Sequence, residues 1–179
     1  MDPRTPVVVG AGQVNERDDA AEVEPVDLMA AAAREAADPR VLQAVDAIRV
    51  VNLLSWRYRD PGLLLGQRIG ADRPATAYTG VGGNTPQSLV NQACLDIQRG
   101  RADVVLLAGG ETWRTRMRLR AKGIRPDWTR QDDSVPAPEG GGEDVLVAHE
   151  ADVGLVGERR LQRERAALAV GNVGLEPVL

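Results

Sequence analysis

Hydrophobic positions along the chain form short runs of Val, Ile, Leu and Ala that alternate with stretches of helical spacing. Short apolar runs bounded by glycine predict buried strands, and apolar positions three and four residues apart predict helices. This alternation predicts an α/β fold with a mostly parallel sheet and helices on both faces. The predicted strands are TPVVVGAGQV (5–14), VDAIRVVNLLS (45–55), TAYTGV (76–81) and ADVVLLAGGE (102–111), and the predicted helices cover 28–37, 61–70 and 86–99.

The ends of the three helices are marked by residues that cap or terminate helices. Asp27 precedes the first helix and is predicted to be its N-cap. The second helix is predicted to begin at Pro61 and to stop at Gly70. For the third helix, Thr85 is the predicted N-cap and Pro86 the first helical residue.

The character of the chain changes after Glu111. Residues 1–112 are predicted to form the α/β domain, and 113–136 contain turn signals and scattered charge that predict a loop or small cap. The tail, 137–179, has no aromatic residue and is expected to be irregular, although 157–170 fit one helix. Its composition also raises the hypothesis of a shifted reading frame.

Composition narrows the function classes. The net charge of −4 disfavours a general nucleic-acid-binding surface. The single cysteine excludes an internal disulfide, which fits a reducing compartment. Neither a bilayer-spanning run nor a signal-peptide pattern is present in the sequence, so the expected location is the cytoplasm.

Three candidate sites have simpler structural explanations. Gly10 and Gly12 begin a dinucleotide-binding fingerprint, but Asn15 stands at the third glycine position, so a tight exit from the strand is preferred. Cys94 lies on the apolar stripe of its helix, roughly 13 Å from the helix start, where a core role is preferred over nucleophilic catalysis. His149 lies in the tail without an evident partner.

Five basic residues occur at every second position of the segment that follows the fourth strand. On a strand they would form one basic edge, and on a helix they would spread around the axis. A solvated face is the default interpretation, and contact with a phosphate is the alternative. The five are Arg114, Arg116, Arg118, Arg120 and Lys122.

The stretch TGVGGNTPQSLVNQACLDIQRGRADVVLLAGGETW resembles the thiolase superfamily. In that family a nucleophile loop leads into a helix, which is followed by I-x-x-G-x-A-D-V and a strand ending in A-G-G-x-E. The first strand and the block VVNLLSWRYRDPG are similar to actinobacterial-type thiolase-like proteins, usually labelled acetyl-CoA acetyltransferases. The resemblance runs from about Thr5 to Gln131 and implies the fold of the N-terminal half of a thiolase. The matching motif residues are Ile97, Gly100, Ala102, Asp103, Val104, Ala108, Gly109 and Gly110, and Glu111 stands one position before the family's glutamate.

The resemblance also implies a site. The family's nucleophilic cysteine corresponds to Gly83, so the loop keeps the outline of the site but lacks the thiol. Asn84 and Thr85 then become the polar contacts to a thioester oxygen, and Arg114 and Arg116 become contacts to the phosphates of coenzyme A. The implied ligand is coenzyme A or an acyl-CoA, with neither a metal nor a nicotinamide cofactor.

Three functions are carried forward from the sequence. The preferred one is a thiolase-like acyl-CoA acyltransferase family protein that is truncated, since a thiolase has a second half that this chain does not reach. The second is a non-catalytic module that binds acyl-CoA or docks a partner, with self-association or a second subunit expected through the exposed half-thiolase face. The third, which the incomplete glycine fingerprint disfavours, is a nucleotide-binding oxidoreductase. Nucleic acid and membrane partners are not expected.

Overall fold

In a computed structural model, the described residues are 3–18, 22–138 and the backbone of 169–172. These residues form five strands and five helices that alternate through most of the chain. The strands are β1 (Pro6–Gly10), β2 (Ala47–Val50), β3 (Ala75–Tyr78), β4 (Val104–Ala108) and β5 (Ala169–Asn172). The helices are α1 (Pro25–Ala36), α2 (Pro39–Gln43), α3 (Pro61–Ile69), α4 (Thr85–Gln98) and α5 (Trp113–Ala121).

The strands form one sheet in the order β1-β5-β4-β2-β3. Strand β2 pairs in parallel with both β3 and β4. Strand β5 runs antiparallel to both of its neighbours, β1 and β4. The carboxyl ends of β2, β3 and β4 therefore meet at one edge of the sheet, which is where α/β proteins usually bind ligands.

Helices cover the sheet on both faces. Strand β4 is buried along its whole length, and its alternate residues enter different cores because successive side chains point to opposite faces. Val104, Leu106 and Ala108 join a cluster with residues of α1, α2 and α3. Val105 and Leu107 join a smaller cluster with residues of α4. The predicted α/β fold with a mostly parallel, two-sided sheet is confirmed.

A charged cluster lies between the sheet and α4. The buried carboxylate of Asp96 accepts hydrogen bonds from Gln92 Nε2 at 2.9 Å and from Arg101 Nη2 at 2.6 Å, and it also pairs with Arg49 on β2. Burial lowers the pKa of the Arg49 guanidinium, while the charge of Asp96 raises it. The carboxylate therefore neutralises the partly buried guanidinium of Arg49.

Two predicted helix caps are wrong by a few residues. Glu24 is the N-cap of α1, with Pro25 at the first helical position, whereas Asp27 lies inside the first turn and pairs with Arg68 at 2.8 Å. Thr85 is the first residue of α4, and Asn84 precedes it as the N-cap. By contrast, α3 begins at Pro61 as predicted and ends before Gly70, which adopts a φ of 79°.

Other elements differ from the sequence prediction. The short helix α2 was not predicted, and α5 lies within 113–136, which was predicted as a loop or cap. Strand β1 is less buried than expected, because Val8 and Val9 are 40% and 47% exposed. Within the predicted helix 157–170, residues 157–168 lie outside the described part, and the last two belong to β5.

None of the helices in the described ranges is both long and apolar enough to cross a bilayer.

Candidate functional site

A cavity of about 570 Å³ opens at the carboxyl ends of β2 and β4, beside the first turn of α4. Its walls come from the loop after β1, from one side of α1, from the ends of β2 and β4 and from α4. It therefore lies where the topology of the sheet favours a ligand site. The lining residues are Gly12, Gln13, Val14, Asn15, Leu28, Ala32, Val51, Pro86, Gln87, Leu89, Val90, Leu107, Ala108, Gly109, Gly110 and Glu111.

The loop before α4 is folded into a turn. The backbone N–H of Thr85 donates to the carbonyl oxygen of Gly82 at 3.3 Å, and the Thr85 hydroxyl donates to the same oxygen. The carbonyl of Asn84 accepts from Ser88 N at 3.1 Å, which starts the helix. Thr85 is buried and its hydroxyl proton is engaged, whereas Gly83 and Asn84 are exposed at the positive end of the α4 dipole.

Gly83 has room for a side chain. A Cβ added there would meet nothing within 4 Å, whereas a Cβ at Gly82 would lie 3.1 Å from Thr85 Oγ1 and 3.2 Å from Asn84 Oδ1. Of these two glycines, Gly83 is therefore the position from which a longer side chain projects freely. That Gly83 stands at the nucleophile position of a thiolase stays a prediction.

The first two glycines of the incomplete fingerprint serve packing. A Cβ at Gly10 would lie 1.9 Å from the carbonyl oxygen of Ala36, and a Cβ at Gly12 would lie 2.2 Å from that of Ala32. These glycines let the end of β1 approach the backbone of α1. Their role is therefore structural, as expected, but it lies in close packing against α1, which the sequence did not predict, whereas the expectation was a tight exit from the strand. The residues that follow, 11–18, contain no helix whose N-terminus could receive a pyrophosphate.

Cys94 and His149 carry the single thiol and the single imidazole of the sequence. Cys94 is the tenth residue of α4, is partly buried and packs against the smaller core cluster. This position agrees with its predicted core role. His149 lies outside the described residues.

The predicted phosphate contacts, Arg114 and Arg116, lie on α5, so the basic residues spread around a helix and do not form one edge. Arg114 is exposed. Arg116 is partly engaged, because Nη1 donates to the carbonyl oxygens of Leu54 and Ser55, at 3.1 Å each. Its guanidinium also lies 5.4 Å from the centre of the Trp113 ring. Contact of either arginine with a phosphate stays a prediction.

The backbone of the loop after β2 forms hydrogen bonds with two charged side chains, one that accepts from its N–H groups and one that donates to its carbonyl groups. The sequence did not predict these contacts. The Glu111 carboxylate accepts hydrogen bonds from Leu54 N at 2.5 Å and Ser55 N at 2.9 Å, while Arg116 binds the carbonyls of the same two residues. Buried Ser55 Oγ also accepts from Thr112 N at 3.1 Å. In the sequence, the one sign of this contact is that Glu111 directly follows the glycine pair at the end of a predicted strand. Its partners, Leu54 and Ser55, lie more than fifty residues earlier in the chain.

Within the described ranges, no group of three or more His, Cys, Asp or Glu side chains is arranged to hold a metal ion. The polar side chains that line the cavity are those of Gln13, Asn15, Gln87 and Glu111, and the exposed loop at the start of α4 adjoins the cavity through Pro86. Neutral donors at a helix N-terminus suit an anion or a carbonyl oxygen.

The chain is similar to a monomeric SCP2-thiolase-like protein, type 1, from Mycobacterium smegmatis, whose crystal structure is known. The two are 37% identical, with a TM-score of 0.50, over 60% of this chain and 24% of that one. The chain thus spans about a quarter of the length of that protein. No family model matches the sequence, and neither does any curated protein. The described part of the chain has a thiolase-like α/β fold.

Proposed function

We propose that the chain is a thiolase-like acyl-CoA protein and that the cavity beside α4 binds an acyl thioester. The observation that carries the proposal is the position of this 570 Å³ cavity at the carboxyl ends of β2 and β4, next to the exposed loop that starts α4. The motifs shared with thiolases and the similarity to the SCP2-thiolase-like structure support it.

Each part of the site has a role in this proposal. The amide groups at the start of α4 and the Asn84 side chain stabilise the thioester oxygen, because the helix dipole favours negative charge there. Apolar side chains in the wall, among them Leu28 and Val90, contact the acyl chain. Exposed Arg114 on α5 contacts a phosphate of coenzyme A.

Acyl transfer between an acyl group and coenzyme A needs a thiolate to accept the acyl group and a base to activate it. The loop at the start of α4 holds Gly82, Gly83 and Asn84, none of which is a nucleophile. The chain's one thiol, at Cys94, is partly buried in the middle of α4. The loop therefore favours the second candidate function, a non-catalytic acyl-CoA-binding module, over a complete acyltransferase.

Binding is tested by calorimetry with acetyl-CoA, coenzyme A and NAD in parallel. We expect the two CoA compounds to bind and NAD not to bind. Gln87→Trp places a bulky ring at an exposed lining position of the cavity and should weaken acetyl-CoA binding by about tenfold or more. Gln98→Trp, at the exposed far end of the same helix, is the matched control and should leave the affinity for acetyl-CoA unchanged. Binding of NAD alone would overturn the proposal.

Turnover separates the two candidate functions. We expect the purified chain to cause no CoA-dependent loss of the acetoacetyl-CoA absorbance. The same assay is run on Cys94→Ser. Turnover that this substitution abolishes would show that the single thiol is catalytic, and turnover that it leaves intact would point to chemistry without cysteine at the loop. Either result would reject the non-catalytic candidate.

A further inference from the structure

A second cavity, of about 740 Å³, shares no lining residue with the first. It lies between the loop after β2, the end of β3 and two residues that come much later in the chain, Gln131 and Asp133. The other lining residues are Asn52, Leu53, Leu54, Trp56, Arg57, Tyr58, Arg59, Tyr78, Thr79 and Gly80.

One wall of this cavity is a segment that we call the strap, residues 128–135. The side chain of Gln131 fastens it, because Oε1 accepts from Arg59 N at 3.1 Å and from Asp60 N at 2.9 Å, while Nε2 donates to Asp60 O at 3.0 Å. Arg59 adds an ion pair to Asp133 at 2.7 Å and a hydrogen bond to the carbonyl of Val135. Both charged groups are therefore already paired.

The start of the strap is anchored in the core. The rings of Trp56 and Trp128 pack edge to face with their centres 5.2 Å apart, and Trp56 Nε1 donates to the carbonyl of Thr129 at 2.8 Å. The carboxylate of Glu24 accepts from the Tyr58 hydroxyl at 2.7 Å and from Thr129 Oγ1 at 3.1 Å. The cavity is thus preformed, which lowers the entropic cost of binding a ligand.

Two polar side chains in the wall of this cavity, those of Arg57 and Tyr78, have hydrogen-bond donors without an acceptor in the described part of the chain. Within the described ranges, the exposed guanidinium of Arg57 makes neither an ion pair nor a hydrogen bond. The Tyr78 hydroxyl accepts from Leu53 N at 3.0 Å, and its own proton has no acceptor in the same part of the chain. Burial raises the pKa of Tyr78, and so does the charge of Glu111, so the phenol stays a donor at neutral pH. The hydrogen bond from Leu53 N and the nearby charge of Arg57 act in the opposite direction on that pKa.

We propose that this cavity is a separate binding site for an organic phosphate of mononucleotide size, with the phosphate held by Arg57 and by the Tyr78 hydroxyl. A guanidinium presents paired donors that match phosphate oxygens, and the phenol adds one more donor. The half-buried Trp56 in the wall offers apolar surface to the organic part. The volume is in the range of pockets that bind such molecules.

The experiment titrates the full chain with adenosine monophosphate by calorimetry. We expect binding that weakens as salt is raised, and that weakens by about tenfold or more when adenosine replaces the nucleotide, since the phosphate contacts are charge-assisted. Arg57→Ala should weaken binding by a similar factor, and Tyr78→Phe by roughly fivefold. Arg125→Ala removes another exposed guanidinium that does not line the cavity, and it should leave binding unchanged.

Three results would overturn the inference. The first is no binding of the nucleotide to the unmodified chain, and the second is binding that neither Arg57→Ala nor Tyr78→Phe weakens. The third is displacement of the nucleotide by acetyl-CoA, which would make the cavity part of a CoA site. Because Gln87→Trp fills only the first cavity, it should leave nucleotide binding intact, so the two proposals fail independently.

Discussion

Single glycines have opposite physical roles in this chain. Gly10 is required because a Cβ there would lie 1.9 Å from the backbone of α1. Gly83 is not required by packing, since a Cβ there would meet nothing within 4 Å. A larger residue is therefore excluded at the first position and accommodated at the second.

The variant Gly83→Cys, made together with Cys94→Ser, tests this difference. We expect the free energy of unfolding to stay within about 0.5 kcal/mol of that of the Cys94→Ser chain. The new thiol should have a pKa below the ordinary value of about 8.5, because it precedes the positive end of the α4 dipole. The pH dependence of iodoacetamide alkylation measures that pKa.

Gly10→Ala is the comparison. It should destabilise the chain by about 1–3 kcal/mol or more in urea unfolding, because the added methyl group forces backbone apart. Equal losses of stability in Gly83→Cys and Gly10→Ala, or a thiol at position 83 with an ordinary pKa, would contradict the geometry of the α4 loop.

At the level of elements, local signals predicted α3 and α4 because proline at the start and glycine after the end act through their own backbone preferences. The N-cap of α4 was misplaced by one residue, since the Thr85 hydroxyl turns back to Gly82 and does not cap the helix. Helix α5 was missed because its basic residues alternate and only Leu119 is buried. Its position depends on contacts of Arg116 with a distant loop.

Only part of the candidate site could be predicted from the sequence. The loop before α4 could be found from a strand followed by glycines and a helix start. The cavity could not, because its walls come from segments far apart in the sequence. The role of Glu111 in holding Leu54 and Ser55 likewise depends on a tertiary contact that no local pattern encodes.

The charged cluster between the sheet and α4, centred on Asp96, supports a prediction about the stability of the chain. Asp96→Ala should destabilise the chain by about 3–5 kcal/mol in urea unfolding, because it leaves the partly buried Arg49 guanidinium without its carboxylate. Asp103→Ala removes an exposed partner of Arg4 and is the matched control, with an expected loss below about 1 kcal/mol. Similar losses in both variants would show that the cluster does not stabilise the packing of α4.

At the scale of the whole molecule, β3 is an edge strand among the five described strands, and none of these five pairs with its outer row of backbone groups. We expect the chain to associate with increasing concentration, as measured by light scattering after size exclusion. Ala75→Lys places a charge at an exposed position of this edge and should reduce association, whereas Gln98→Lys adds the same charge at the end of α4 and should not. A single monomeric species at all concentrations would contradict this expectation.

The three tryptophans report on two different parts of the molecule through their intrinsic fluorescence. Trp113 is 52% exposed on α5, whereas Trp128 is 6% exposed and packs against Trp56. Release of the strap would separate the paired rings and admit water to them, which shifts their emission to longer wavelength and removes their near-ultraviolet dichroism. A Trp113→Tyr chain therefore gives an optical signal for the opening of this one segment, without any added label.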